Sequence, residues 1–207
     1  MSKIVCISDT HTKHNQLEVP KGDVLIFAGD AEFRTMIEVI MFNQWLGELP
    51  HKEKIVISGN HDFYAENNFY QMQEILTNAV YLENHTHTLN CGLKVFGSPI
   101  TPKFHDWAFM ETYDKIHKYW DIIPDDTDIL VTHGPAFGIL DIADKRFGSL
   151  GCPTLLKAIN RIKPKYHVFG HIHESHGKKK VGKTTHVNCS VLDDYYSIAY
   201  DPIIIEG

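Results

Sequence analysis

The sequence predicts an α/β fold of two packed mixed sheets flanked by helices, and three observations carry that expectation. Short apolar runs alternate with longer stretches of helical periodicity along the chain. Several runs are apolar without interruption, as strands covered on both faces are, whereas others alternate with polar residues as sheet edges do. The chain is also long enough to bury such a core, since 43% of its 207 residues are hydrophobic and 22% charged. That balance excludes disorder, collagen-like repeats and a disulfide miniprotein.

KIVCIS (3–8) and VLIFAG (24–29) read as strands, and the stretch from Thr35 to Leu49 reads as an amphipathic helix with Met36, Ile37, Ile40, Met41 and Leu46 at three-to-four spacing. KIVISG (54–59) is a further strand and residues 66–78 a further helix. YLENHTHTLNCGLKVFGS (81–98) alternates about an Asn90–Gly92 turn, as a hairpin does. Residues 110–121 and 153–162 read as helices, and DILVTHG (128–134), YHVFGHIH (166–173) and THVNCSV (185–191) as strands. No repeat, low-complexity segment or Pro/Ser-rich linker marks a boundary, so one domain over residues 1–207 is the simplest account.

Twenty Lys and Arg against 26 Asp and Glu give a formal net charge of −6, which disfavours an extended nucleic-acid interface. Cys6, Cys91, Cys152 and Cys189 are widely spaced, without a C-x-x-C pair, and read as reduced core thiols. The N-terminal MSKIVCIS enters a strand without an apolar leader, and no apolar run approaches the ~18 residues of a membrane span. The expectation is a soluble, cytoplasmic protein with no membrane partner.

The 14 histidines are placed informatively. Five apolar runs are followed at once by residues able to bind metal: IVCIS by Asp9-Thr10-His11, LIFA by Gly29-Asp30, IVIS by Gly59-Asn60-His61-Asp62, ILV by Thr132-His133-Gly134, and HVF by Gly170-His171-Ile172-His173. Any one of these endings alone is most simply a turn former or helix cap. Five together point to convergence, because the crevice beyond the carboxyl ends of strands in open α/β sheets is where ligands sit. Gly precedes Asp30, Asn60 and His171, as expected where backbone turns sharply beside a ligand. Asp9/His11 and His171/His173 are i, i+2 pairs, which an extended strand would place on one face.

In that order, D-x-H, G-D, G-N-H-D, T-H-G and G-H-x-H resemble the calcineurin-like metallophosphoesterase superfamily across nearly the whole chain. The closer resemblance is to the small MPPED-type members and the related class III cyclic nucleotide phosphodiesterases. It rests on SDTH (8–11), AGD (28–30), FNQWLGELPHKEKIVISGNHD (42–62), GSPITPKFHDWAF (97–109), THGP (132–135), GCPTLL (151–156) and PKYHVFGHIHE (164–174).

The resemblance implies a four-layer α/β/β/α sandwich holding two divalent metal ions. Asp9, His11 and His173 would bind the first, Asn60, His133 and His171 the second, and Asp30 would bridge them. Imidazoles with hard oxygen ligands and no thiolate suit manganese first, with iron or zinc as alternatives. Two divalent ions against two carboxylates and a bridging hydroxide leave a net charge of about +1, a well that attracts a phosphate ester. Attack by that hydroxide makes phosphoester hydrolysis the implied reaction. His61 would then be the general acid that assists the leaving group, with Asp62 beside it either tuning its proton affinity or simply capping the following turn.

Phe104, His105 and Trp107 combine aromatics with a polar handle in one loop and form a candidate substrate wall; plain loop packing explains them equally well. The resemblance implies cyclic nucleotides or similar small phosphodiesters as substrates. The phosphatase signatures of related groups are absent, since residues 30–35 lack an Arg-Gly element and Phe33 stands where purple acid phosphatases carry a Tyr ligand. A phosphomonoesterase or nucleotidase of the same fold, or a non-catalytic scaffold, are the alternatives.

GKKKVGKT (177–184) matches a phosphate-loop pattern literally, but the β-branched THVNCSV follows where a helix is required, so a basic hairpin turn is expected. His85 and His87 read as exposed hairpin residues, His167 as packing near the site, and His14, His51, His117 and His176 as surface. Asn188, Cys189 and Ser190 end a strand close enough to line the pocket.

Overall fold

The structure is a computed structural model describing residues 2–207. In its first sheet β1 (Lys3–Ile7), β2 (Val24–Ala28), β3 (Glu53–Ile57) and β4 (Val80–Tyr81) run parallel in sequence order, and the C-terminal strand β13 (Ile203–Glu206) pairs antiparallel with β1. The second sheet has the order β11-β12-β10-β9-β6-β5, from β5 (His85–Thr88), β6 (Lys94–Ser98), β9 (Ile129–Thr132), β10 (Tyr166–Phe169), β11 (Gly177–Val181) and β12 (Thr184–Asn188). Its inner strands are parallel, and both edge strands are antiparallel to their neighbours. A short pair, β7 (Thr101–Pro102) with β8 (Met110–Glu111), lies outside both sheets.

Successive side chains enter two different apolar layers, at the two-residue period of the strands. Ile4, Cys6, Ile26 and Ile57 share one apolar cluster with Val95, Val131, Val168 and Val187 of the other sheet. Their neighbours Val5, Ile7, Leu25 and Phe27 belong instead to the cluster built with the helices. These helices are α1 (Met36–Glu48), α2 (Phe63–Glu66), α3 (Phe69–Ile75), α4 (His117–Asp121) and α5 (Pro153–Ile162), with α1 packed on α3 and α4 on α5. Strands apolar on both faces are therefore apolar because both faces are covered, and the two mixed sheets flanked by helices match the expectation.

Several local expectations are corrected. Helix α1 buries Val39, Phe42, Trp45 and Leu46, while Met36, Ile37, Ile40 and Met41 are exposed. The segment carries two apolar stripes, and the one with the larger aromatic area wins the core. Residues 66–78 split into α2 and α3 around Asn67–Asn68, and most of 110–121 is extended or turn, with only His117–Asp121 helical. Strand β10 stops at Phe169, so His171 and His173 lie beyond it. Cys91 is exposed rather than core, and all four cysteines are free. His14 and His51 are buried, the first against Phe42 and Trp45. In the basic hairpin the lysines lie along strand β11, with Gly182–Lys183 making the turn. Among the described residues, no helix is long and apolar enough to cross a membrane.

Candidate metal centre

The carboxyl ends of β1, β2 and β3 lie side by side in one sheet, those of β9 and β10 side by side in the other, and a bridge between Ser8 and Ser190 joins the sheets there. Parallel pairing puts all five endings on one edge of the molecule. Convergence is reached by a different route from the extended i, i+2 pairing expected. Asp9, His11, Asp30 and His171 all have left-handed backbones, with φ of 56°, 40°, 58° and 70°. Such conformations cost roughly 1–3 kcal/mol each for non-glycine residues and persist where the surroundings over-determine them. Here the first loop is laced to the second by Asp9 N–H to Gly29 O (2.9 Å), His11 N–H to Asp30 O (3.1 Å) and Thr12 N–H to Ala31 O (3.1 Å). Glycine is required at the approaches: a Cβ on Gly59 would run into the Asp30 carboxylate, and one on Gly170 into that of Asp9.

Two groups of ligand atoms result. Asp9, His11 and His173 form one, and Asp30, His133 and His171 the other, with the candidate donor atoms of each within 4.8 Å of one another. Asp30 Oδ2 faces both groups, 3.7 Å from His11 Nε2 and 3.3 Å from His133 Nε2. Asn60 Oδ1 lies 2.9 Å from His133 Nε2, while the Asn60 side-chain nitrogen is buried without a partner. Ligands about 2.1 Å from one ion sit about 3 Å apart at right angles and about 4.2 Å apart when opposed, a span into which these separations fit. The tautomers agree. His133 Nδ1 donates to Ala28 O (2.9 Å) and His173 Nδ1 to Asp193 O (3.0 Å), which leaves each Nε2 lone pair aimed into the site. Ser190 Oγ and the His171 backbone N–H hold the Asp9 carboxylate at 2.6 and 3.0 Å. Nitrogen and oxygen donors without thiolate, two buried carboxylates and an orphaned amide fit a pair of divalent ions.

Without metal, protons do part of that work. Burial opposes charging of His133, but the Asp30 carboxylate outweighs it and raises the imidazole to about 9; His173, likewise opposed by burial, is raised to about 9 through its contact with Asp9. Burial keeps His171 neutral, down to about 3. Groups raised above their unfolded value of about 6.5 stabilise fully below it and lose that contribution as pH rises through about 9. The melting temperature of metal-free protein is therefore expected to fall between pH 6.5 and 9, while the gap to metal-loaded protein widens, because metal displaces those protons. Thermal melts across this window, with and without metal, check both trends.

The remaining expected residues divide. The His61 ring lies edge-on to His11 at 4.9 Å and 4.6 Å from Trp107, and its backbone N–H is held by Asp30 Oδ1 at 2.8 Å. Among the described residues no hydrogen bond or ion pair joins it to Asp62, whose side chain does not cap the following turn either; the carboxylate is engaged with backbone. Its fully buried carboxylate accepts the backbone N–H groups of Asp30, Glu32, Phe33 and Gly59 at 2.7–3.0 Å, fixing the second and third loops together. Those four donors favour its ionised form against burial and the Asp30 charge, which push it up to about 7.

A cavity of about 390 Å³ opens over both groups, and Phe104 and Trp107 line it. Their loop is tied to the centre by Ala108 N–H to Asn60 O (3.1 Å). His105 does not line the cavity; it is exposed and packs on the rings of Phe104 and Trp107. Asn188 and Ser190 also fail to line it, serving instead as supports, Asn188 through a 2.7 Å bond to Ile172 O. Sequence reasoning missed Tyr113, Leu150 and Tyr196, which complete the wall from irregular segments whose periodicity carries no signal.

Comparison with known proteins agrees with this geometry. The sequence profile described as calcineurin-like phosphoesterase matches residues 2–175. Human metallophosphoesterase domain-containing protein 1 is 39% identical over 99% of this chain and 71% of its own length. A UPF0046 protein of Caenorhabditis elegans is 38% identical over 98% of this chain and 74% of its own. In fold, phosphopantetheinyl hydrolase from Mycobacterium tuberculosis superimposes with a TM-score of 0.66 at 16% identity, covering 94% of this chain and 90% of the other. The chain belongs to the calcineurin-like phosphoesterase family and is a hydrolase of the metallophosphoesterase superfamily.

Proposed function

We propose that this hydrolase is a dinuclear, manganese-dependent phosphodiesterase acting on cyclic nucleotides or similar small phosphodiesters. The supporting observation is the character of the cavity. Beyond the ligand groups its walls are largely aromatic and apolar, and Lys103 is the one Lys or Arg lining it among the described residues. That ammonium is already paired with Asp106 at 2.8 Å. A dianionic monoester would call for further cationic donors, whereas a diester carries one charge and a larger organic part.

In this reading Asp9, His11 and His173 hold one ion, Asn60, His133 and His171 the other, and Asp30 both. Bound there, two divalent ions supply Lewis acidity and an activated water at neutral pH. His61, lining the cavity beside Trp107, hands a proton to the departing ester oxygen. Phe104 and Trp107 stack on the organic part, so base-edge discrimination is loose. The test compares kcat/KM for bis-nitrophenyl phosphate, cyclic AMP and cyclic GMP with that for nitrophenyl phosphate and AMP. Diesters are expected to lead by about tenfold or more, a lead that Trp107→Ala erodes. Monoesters leading by a similar factor would overturn the reading.

A further inference from the structure

Tyr196 has no role in the scheme above, yet the structure spends much on holding it. Its backbone is left-handed (φ 59°), unusual for an aromatic residue. Its N–H is bonded to Asp193 O at 3.0 Å, its carbonyl is met by the Lys13 ammonium, and the Asp193 carboxylate caps the flanking Tyr195 and Ser197 N–H groups at 3.0 and 2.8 Å. The same Asp193 carbonyl orients His173, so the loop is locked to a candidate ligand. Tyr196 nonetheless remains 43% exposed and lines the cavity.

The aromatic rings form a row across the centre. Trp107 meets His61 at 4.6 Å, His61 meets His11 at 4.9 Å, and His11 meets Tyr196 at 4.8 Å. Tyr196 also touches His173 of the first ligand group at 5.4 Å, while Phe104 touches His171 of the second at 5.8 Å. No ring contact joins Tyr196 to Phe104 or Trp107 among the described residues. Each ligand group thus has its own aromatic platform, and the chain of ring contacts from one platform to the other runs through His61 and His11.

A cyclic phosphodiester carries one organic body and needs one platform. We infer that, among the small phosphodiesters proposed above, the centre serves best acyclic ones bearing a planar or apolar group on each ester arm, one seated on Phe104 and Trp107 and the other on Tyr196, a cyclic nucleotide using the first platform alone. In hydrolysis, a water oxygen bonds to phosphorus, one ester P–O bond breaks, and the proton lost by water ends on the departing alcohol, leaving a monoester of the retained arm. The inference rests on the phosphodiesterase reading and narrows its substrate.

The test uses metal-loaded wild type, Tyr196→Ala and Tyr196→Phe with bis-nitrophenyl phosphate and methyl nitrophenyl phosphate, which share a leaving group and differ in the second arm. Taking the ratio of kcat/KM values within each protein, and comparing proteins, cancels the intrinsic reactivity of the two esters. Tyr196→Ala is expected to lower the two-arm to one-arm ratio about tenfold, and Tyr196→Phe to restore it, since stacking needs the ring and not the hydroxyl. Binding of diphenyl phosphate and methyl phenyl phosphate, measured calorimetrically on the same proteins, should show the same ratio change without turnover. An unchanged ratio in both measurements overturns the inference, as does an equal loss on both esters, which would mean that Tyr196 only supports the ligands. Absence of diester turnover, with the two-arm to one-arm binding ratio still falling in Tyr196→Ala and restored in Tyr196→Phe, would sink the phosphodiesterase reading and leave the two-platform site standing.

Discussion

Asp30→Ala is expected to lower kcat/KM by at least about a thousandfold and to strip the centre of one or both metal ions. Three functions converge on this carboxylate. Oδ2 faces His11 at 3.7 Å and His133 at 3.3 Å, so it reaches a member of each ligand group. Oδ1 accepts the His61 backbone N–H at 2.8 Å and so sets where the proposed acid stands. Its charge, finally, is what raises His133 in the metal-free state. Asp30→Asn keeps the shape and the Oδ1 contact but loses the charge, and it should forfeit nearly as much activity. Far-ultraviolet circular dichroism separates a lost centre from a lost fold, because Asp62 still ties the loops through the backbone at residue 30. Activity within tenfold of wild type in the alanine variant would contradict a shared bridging ligand.

His61→Asn should cost about 10²–10⁴-fold on a nucleotide substrate with an alkoxide leaving group and much less on a nitrophenyl ester, whose leaving oxygen needs no proton. The side chain is well placed for this asymmetry. It lines the cavity, packs edge-on to His11 and tilted against Trp107, and stands outside both ligand groups. Asparagine retains the backbone N–H that bonds Asp30, so metal content should stay at the wild-type level and isolate the proton-transfer step. Equal losses on both substrates would assign His61 to positioning of phosphate or metal.

Much of the centre was legible because its residues follow strand ends directly. Uninterrupted apolar runs announce β1, β2, β3, β9 and β10, and the polar residue after each run marks where the chain reaches the crevice. The architecture of two sheets follows from the same runs. What the sequence concealed lies where local pattern and tertiary packing part company. Helix α1 carries apolar residues on both sides, and only the competition between Phe42/Trp45 and Met36/Ile40 for the sheet decides which are buried. Left-handed φ at Asp9, His11 and His171 is held by loop-to-loop bonding, and the raised tolerance of Asp and His for that region does not by itself say which of them adopt it. Asp62 sits beside His61 in sequence yet points its carboxylate at backbone of its own loop at Gly59 and of the loop after β2, a choice set by four N–H donors rather than by proximity. Tyr196 lies in an irregular segment, and its place beside His11 and His173 depends on the Asp193 turn.

The central claim is that seven residues from five strand ends hold two divalent ions on a shared carboxylate. Anomalous diffraction from crystals grown with Mn²⁺ tests it most directly. The account predicts two peaks per chain, one among Asp9, His11 and His173, the other among Asn60, His133 and His171, with Asp30 between them. A single peak, or peaks that leave Asp30 or Asn60 uncoordinated, would contradict it.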